Sequence, residues 1–353
     1  MAHELKFGDD GKAAMFYVGE KPWHDEGTKL ENPPTAAEAI QAASLDWTLV
    51  KAPLFYHRSL TDTAVLPDTY AVVPDERWPD KKKPVLGIVS GRYEILQNKD
   101  AFAFFDPLVK NGYAAYETAG ALGSGERVWV LARLRDSFEI AKGDKIERYL
   151  LLSNRHDGHG TVNVKFTPIR VVCQNTLSMA MQDAREFFAI RHDEDLFRRL
   201  GNVADEMRGR IEARYDVIKT AFTRMQEVEI DEKQAEGYFA EVYSDGEVTT
   251  LPTPKSAAQE ARRREQLWLL KRARICCRHI LLESDTCRIG DAPPTVWTAY
   301  NAVTEFVDHW RAEGLNGKPP SISLNSIWFG DGQQRKLKAF TQAGDLARKL
   351  TRG

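Results

Sequence analysis

The chain has 353 residues, of which 42% are hydrophobic and 28% are charged, and its formal net charge is −2. This composition is typical of a globular protein, and a chain of this length buries most of its apolar surface without disulfides or metals. The slightly acidic balance excludes a polycationic nucleic-acid binder of the usual kind, but it leaves room for a local basic patch.

The cysteines and the lengths of the apolar runs indicate in which cellular compartment the protein is expected. There are four cysteines, Cys173, Cys276, Cys277 and Cys287, and none forms a Cys-x-x-Cys pair. A zinc ribbon is therefore not indicated, and reduced thiols are expected. No apolar run reaches 18 residues, and the first eleven residues are polar. We expect a soluble, cytoplasmic protein that has no signal peptide and no membrane partner.

In chain order, the first half predicts short strands and turns around a few helices. Residues 35–43 are rich in alanine and predict a helix capped by Thr35. Residues 47–56 alternate loosely and predict a strand that Pro53 interrupts. Residues 84–89 predict a short buried strand.

The densest strand pattern follows. The intervals 113–119, 127–134, 148–152 and 160–166 predict strands separated by turns, and their spacing indicates an antiparallel meander. The glycine-rich segment 120–125 lacks the Gly-Lys-Ser/Thr of a phosphate-binding loop and does not have dinucleotide-binding spacing. It therefore predicts a tight hairpin connection.

The second half is helical. From Asp195 to Gln226, apolar residues recur every three or four positions and predict one helix of about nine turns. Residues 257–282 predict a basic helix. A further helix is predicted from Pro293 to Trp310, and its apolar face leaves Glu305 and Asp308 expected on the exposed side.

These elements predict an α+β fold. An N-terminal antiparallel sheet with helices is expected in residues 1–190. A mostly helical region that contains one long helix is expected in residues 191–353.

One polar loop, residues 153–159, stands between two predicted strands. It contains Asn154, His156, Asp157 and His159, and the last three are of the types that ligate a divalent metal. The alternative is an Asx turn with a hydrogen-bonded surface histidine. No third and fourth ligand occur at standard spacing, so we assign no metal, no cofactor and no catalytic residue here.

The predicted basic helix is the strongest candidate for a binding surface. Its basic residues, with those just before it, are Lys255, Arg262, Arg263, Arg264, Lys271, Arg272, Arg274 and Arg278. Against Glu260 and Glu265 they leave a net charge of +6 over 24 residues. Arginines clustered near Trp268 suit a phosphate backbone with base stacking. The alternative is a solvated helix face whose Trp268 packs in the core beside Leu267 and Ile275.

Several motifs together resemble a phage- and plasmid-associated family, the domain of unknown function 932. They are Pro22-Trp23-His24 with Gly27, Ser153-Asn154 with His156-Asp157-Gly158, Phe166-Thr167-Pro168 with the run from Arg170 to Leu177, Trp297 with the run from Tyr300 to His309, and Phe329-Gly330 with the run from Lys336 to Ala339. The resemblance implies a mobile-element setting, in which proteins often handle DNA, and it implies no established activity.

The leading hypothesis is a single-stranded DNA binding or annealing protein, non-enzymatic and homo-oligomeric. Arg170 and the basic helix would contact phosphates, and Trp268, Trp129 or Tyr149 would stack on bases. The second hypothesis is a metal-dependent enzyme acting on nucleic acid or nucleotides through the 153–159 loop. The third is an interaction protein that binds a host factor, which a large exposed apolar patch would favour.

Overall fold

The fold was analysed in a computed structural model, which describes residues 4–19, 26–59, 61–170, 175–176, 187–287, 292–310, 326 and 330–352. Its strands are β1 (Met15–Val18), β2 (Thr28–Leu30), β3 (Leu49–His57), β4 (Thr63–Pro74), β5 (Gly87–Val89), β6 (Ala114–Leu122), β7 (Arg127–Ala141), β8 (Asp144–Arg155), β9 (Val162–Arg170), β10 (Asn175–Thr176) and β11 (Phe187–Ile190).

Helices dominate the second half. The helices are α1 (Ala36–Ala42), α2 (Asn98–Ala103), α3 (Asp106–Lys110), α4 (Leu196–Gln226), α5 (Glu232–Val242), α6 (Gly246–Thr249), α7 (Ala257–Glu283), α8 (Val296–Glu305), a π-helix (Phe306–Trp310) and α9 (Asp331–Arg352). The predicted α+β class is confirmed, and so are the long helix α4 and the basic helix α7. None of these described helices is long and apolar enough to cross a membrane.

Two sheets form in the described residues. The larger one has the order β10-β9-β8-β7-β6-β1-β2, and β11 also pairs with β9. Strands β6 to β9 run consecutively through it, which confirms the predicted meander. The smaller sheet has the order β3-β4-β5. As predicted, β3 is irregular at Pro53, where its register with β4 shifts.

Helix α1 begins as its sequence predicts. The Thr35 hydroxyl accepts a hydrogen bond from the Glu38 backbone, and the Glu38 carboxylate accepts one from the Thr35 backbone at 2.8 Å. This reciprocal capping box satisfies two amides that the first helical turn leaves without partners.

The chain forms two compact units, and each is discontinuous in sequence. The first comprises residues 1–136, 148–167 and 183–212, and the second comprises 137–147, 168–182 and 213–353. The turn between β7 and β8 therefore belongs to the second unit. The division at residue 190 that the sequence suggests stays a prediction about domain organisation.

Each unit has its own aromatic core. In the first, Phe102, Phe105 and Tyr116 are fully buried, and the Tyr116 hydroxyl donates to the Phe102 carbonyl at 2.8 Å. In the second, the rings of Phe222 and Trp297 lie 4.6 Å apart. Aromatic side chains of this size each contribute a large apolar area to the core in which they are buried.

A buried hydrogen bond joins the β7–β8 turn to the helices of the second unit. The Trp297 indole Nε1 donates to the Asp144 carboxylate at 2.7 Å, and both residues are buried. A buried carboxylate requires such donors, because an unpaired buried charge is strongly unfavourable.

Replacing Asp144 with alanine removes this acceptor from a buried indole. We expect Asp144→Ala to lower the free energy of unfolding by about 1–3 kcal/mol, measured by urea denaturation. Asp144→Asn retains an acceptor oxygen and should lose less. The exposed neighbour Lys142 provides the control, since Lys142→Ala should leave stability unchanged. Equal stability of Asp144→Ala and the wild type would contradict this role.

Candidate functional sites

Helix α7 places its single tryptophan in solvent. Ser256 caps the helix by accepting from the Gln259 backbone at 3.2 Å. Trp268 is 45% exposed and Ile275 is 61% exposed. Trp268 is therefore not a core residue, and the alternative interpretation of this helix is wrong for these two positions. Exposure leaves the indole face available for a ligand.

Cations surround this indole on the same side of the helix. The Arg272 guanidinium lies 5.9 Å from the centroid of the Trp268 ring. Arg264 and Lys271 are exposed, and positions 264, 268, 271, 272 and 275 recur at helical spacing of three or four. Trp268, Arg264, Lys271, Arg272 and Ile275 thus form one stripe, which we call the α7 stripe.

Part of the predicted basic patch is occupied by internal contacts. Arg274 donates to the Tyr243 carbonyl and pairs with Asp245. Arg278 pairs with Glu232 and, at 3.3 Å, with Glu236. These two arginines hold α7 against neighbouring segments of the second unit, and the sequence pattern did not separate them from the exposed ones.

The cations nearer the start of α7 are less constrained. Arg263 donates to the Thr249 carbonyl at 3.1 Å, and Arg264 lies 3.7 Å from Glu260 across one helical turn. Among the residues that the structure describes, Arg262 and Lys271 form no ion pair. An exposed i,i+4 pair is weak, so Arg264 is readily released to a stronger anionic partner.

The other predicted contacts differ in accessibility. The side chain of Arg170, and the Trp23-His24 motif, lie outside the described residues. Trp129 is fully buried and Tyr149 is 4% exposed. The prediction that either ring stacks on a base is wrong, because both lie at inward positions of the central sheet.

The second candidate is the 153–159 loop in the first unit. Asn154 and His156 lie two residues apart at the end of β8, so both side chains point to the same, inner face. The Asn154 amide donates to the Leu96 carbonyl at 2.9 Å, and the His156 backbone donates to the Glu126 carbonyl at 2.7 Å. His156 is fully buried, so the expected surface histidine is wrong.

His156 is an unusual buried group. Within the described residues, neither of its ring nitrogens has a hydrogen-bond partner, and its ring meets Trp47 edge-on at 5.8 Å. Burial, and to a lesser extent nearby His192, lower the pKa of His156 to about 3, while Asp157 acts in the opposite direction. The imidazole is thus neutral at physiological pH.

His192 is a neighbour that the sequence did not reveal. Its Nδ1 lies 2.8 Å from the Glu94 carbonyl, and its ring stacks on Tyr93 with centroids 4.5 Å apart. The Tyr93 hydroxyl in turn donates to the Arg155 carbonyl at 2.8 Å. Burial lowers the pKa of His192 as well. No sequence signal joins these residues, which are brought together only by folding.

The Asp157 side chain forms hydrogen bonds within its own loop. Its carboxylate accepts from Arg155 Nε at 3.0 Å and from the His159 backbone at 3.0 Å. Burial opposes ionisation, but these hydrogen bonds outweigh it, and the pKa of Asp157 is lowered. A Cβ on Gly87 would lie 2.4 Å from the Asp157 Cα, so β5 passes directly against this turn and requires glycine there.

The arrangement does not assemble a metal centre. His159 is exposed, and the described residues contain no group of three or more histidine, cysteine or carboxylate side chains suited to a metal ion. Residues 153–159 thus form a turn that Asp157 stabilises by hydrogen bonds, and the imidazole of His156 is buried beneath it.

A third polar cluster, which the sequence analysis missed, lies inside the second unit. Lys336 is fully buried and its Nζ contacts the Asp308 carboxylate at 2.8 Å. Glu305 accepts from the Ser284 hydroxyl at 3.0 Å, from Thr286, and from the Trp310 indole at 3.3 Å. The expectation that Glu305 and Asp308 are exposed is wrong.

The local helix geometry explains this error. All ten residues of α8 are buried, so the helix has no solvent face. The helix then continues as the π-helix of Phe306–Trp310, whose wider turn changes the side-chain register. A period of 3.6 residues therefore places Asp308 on the wrong side.

Residues 85–348 match the model of a family described as Domain of unknown function (DUF932), which is most of the chain. The chain belongs to this family. No curated protein and no solved structure matches the DUF932 chain.

The family match covers all three candidate sites. The 153–159 loop, the α7 stripe and the Lys336–Asp308 pair fall inside the matched interval of the DUF932 chain, and β1 to β4 precede it. The family resemblance seen in the sequence motifs is thus confirmed.

The buried imidazole predicts acid sensitivity. Between its folded pKa of about 3 and its ordinary value, the unfolded chain binds a proton that folded His156 does not. The contribution of neutral His156 to the free energy of unfolding is therefore fully present above about pH 7. It falls by about 1.4 kcal/mol per pH unit as the pH is lowered below the ordinary pKa of histidine. Urea denaturation at a series of pH values measures this dependence. In His156→Leu, the number of protons taken up on unfolding in acid should be smaller by one. His159→Leu, in the exposed position, should keep it. Parallel curves for wild type and His156→Leu would refute the assignment.

The buried pair in the second unit gives a separate prediction. Asp308→Ala or Lys336→Ala leaves one charge buried without its partner and should cost about 3–5 kcal/mol. The double variant Asp308→Leu with Lys336→Met removes both charges and should recover most of that loss in urea denaturation. Additive losses in the double variant would show that the two side chains do not act as a pair.

Proposed function

We propose that the protein is a single-stranded DNA binding or annealing protein, that it performs no chemistry on the strand, and that the α7 stripe contacts the DNA. The observation that carries the proposal is the half-exposed Trp268 indole with the Arg272 guanidinium beside it. An exposed aromatic ring next to cations stacks a base and neutralises the adjoining phosphate.

The neighbouring charges support the same ligand. Arg262, Arg264 and Lys271 are exposed on the same helix as Trp268, within about 15 Å along its axis. That length accommodates several nucleotides of backbone. Because Arg274 and Arg278 are held by acidic side chains of the second unit, we assign them to stability and not to the DNA contact.

The indole favours unpaired bases over a duplex. Stacking requires an open base face, which a duplex presents only at its ends, whereas cations alone bind both forms. The mobile-element setting that the family resemblance implies also supports DNA handling. We further propose that the protein acts in the cytoplasm as a homo-oligomer.

The metal-dependent enzyme has less support. It requires several carboxylates and histidines that converge in one pocket. In the described part of the chain, Asp157 bonds within its own turn and His156 contacts Trp47. Neither arrangement offers a ligand set.

Fluorescence anisotropy with labelled single- and double-stranded oligonucleotides at two salt concentrations tests the proposal. We expect salt-sensitive binding with a preference for the single strand. Trp268→Ala should lose about 1–3 kcal/mol of binding free energy through lost stacking, and Trp268→Phe should lose less. Arg264→Gln with Lys271→Gln should weaken binding and reduce the slope of log affinity against log salt by roughly 0.7 for each lost phosphate contact.

A matched charge control is available on other helices. Lys219 and Lys233 are exposed on α4 and α5, and Lys219→Gln with Lys233→Gln removes the same charge without touching the stripe. This variant should bind like the wild type apart from a small general loss. Equal weakening by both double variants would indicate nonspecific charge attraction, and absence of binding at low salt would eliminate the proposal.

A further inference from the structure

The second unit covers the two halves of helix α7 to different extents. Residues 257–272 include no buried side chain, and most of them are exposed. The first buried side chain of the helix is Ala273, and it is followed by Cys277, Ile280 and Leu281. We call residues 257–272 the uncovered half of α7 and residues 273–283 the packed half. Most of the α7 stripe lies on the uncovered half.

The side of α7 that faces the core changes its chemistry at this boundary. Leu270, which precedes Ala273 by about one helical turn, is only half-buried. Gln266 and Gln259 lie seven and fourteen residues before Ala273, on the same side of the helix, and both are exposed. The apolar face that packs α7 against its unit therefore ends near Ala273.

Short-range interactions support the uncovered half. Ser256 caps its first turn, and the Gln259 side chain accepts from the Lys255 backbone at 2.6 Å. Glu260 and Arg264 form an exposed pair across one turn, which contributes little. Apart from Trp268, the segment consists of alanine, leucine, glutamine, glutamate, arginine and lysine, which are strong helix formers. Local propensity thus does the work that packing does further along α7.

A helix without packing is close to its limit of stability. Isolated helices shorter than about 12–15 residues are marginal in water even when their residues favour the helix, because most helical stability in proteins comes from tertiary packing. The uncovered half extends from the packed half and so avoids the cost of nucleation. Its unwinding costs little free energy, whereas the packed half opens only when its unit opens.

We propose that the uncovered half of α7 unwinds locally in the free protein and is held as a helix when the single strand binds. This inference rests on the proposed function, in which the strand contacts the α7 stripe. Arg264, Trp268 and Lys271 share one side of the chain only while residues 264–271 are helical. A strand that contacts this arrangement and not the unwound one shifts the equilibrium towards the helix.

This coupling makes helix stability a determinant of affinity. When only a fraction of the molecules has the binding-competent form, the apparent dissociation constant equals the intrinsic constant divided by that fraction. A substitution that changes the helicity of the uncovered half therefore changes affinity even on the side away from the strand. Gln266 is such a position, because it is exposed and lies about 200° around the helix from Trp268.

Hydrogen exchange of the full chain, followed by mass spectrometry, tests local unwinding without DNA. Amides of residues 261–271 should exchange about tenfold faster, or more, than those of residues 276–283. Saturation with an oligothymidine strand should slow residues 261–271 by about tenfold and leave residues 276–283 unchanged. Equal protection of the two segments in the free protein overturns the proposal. Strand binding that leaves residues 261–271 exchanging as fast as before also overturns it.

Two substitutions at Gln266 test the coupling by fluorescence anisotropy. Gln266→Gly and Gln266→Ala both leave the α7 stripe intact. Their dissociation constants for the single strand should differ about fivefold, with the glycine variant weaker, which corresponds to the roughly 1 kcal/mol between glycine and alanine in a helix. His279, exposed in the packed half, provides the control. His279→Gly should be less stable than His279→Ala in urea denaturation, but the two should bind the strand alike.

Failure of the proposed function gives a different result from failure of this inference. A protein that binds no strand at low salt eliminates both the proposed function and the coupling to it. A protein that binds the strand with equal affinity in the two Gln266 variants retains the proposed function and overturns the inference alone.

Discussion

The buried acidic and basic side chains of the helical unit have partners from elsewhere in the chain, and the Asp144–Trp297 hydrogen bond is the clearest case. A carboxylate at the turn of a hairpin would ordinarily lie in water. Here it is buried, and an indole 153 residues further along the chain donates to it. Because a buried carboxylate without hydrogen-bond donors is strongly unfavourable, this contact couples the packing of the β7–β8 turn to that of helix α8. The same rule explains the Lys336–Asp308 pair and the donors around Glu305.

The two units use polar side chains in different ways. In the first, Asn154, Tyr93 and His192 bond to backbone carbonyls and fix the segment before α2, while His156 stays neutral and buried among rings. In the second, Lys336 and Asp308 form a buried ion pair between two helical segments. On α7, Arg274 and Arg278 pair with acidic side chains, whereas Arg262 is exposed to solvent. The arginines that cluster in this part of the sequence therefore fall into two groups, those paired with carboxylates and those that are not. Those held by carboxylates stabilise the fold, and only the remaining ones contribute a field that an external anion experiences.

The α7 stripe joins an exposed indole to neighbouring cations on one helix. We propose that this combination serves a strand of nucleic acid, because an open aromatic face stacks a base while the cations attract the phosphate beside it. Cations alone would bind a duplex as readily as a single strand, so the proposal depends on the indole and the cations occurring together.

Local periodicity and capping determined much from the sequence alone. The hydrophobic repeat specified α4, Thr35 and Glu38 specified the start of α1, and the alternation and turns specified the meander. Each depends on neighbours within a few residues. The sequence could not show that Trp268 is exposed, that Trp129 is buried, or that His192 approaches His156, because burial is set by elements far apart in the chain. It also placed Asp308 in solvent, since a π-helical turn breaks the period on which that inference depends. Tertiary packing alone decided which polar groups became interior partners and which stayed available for binding.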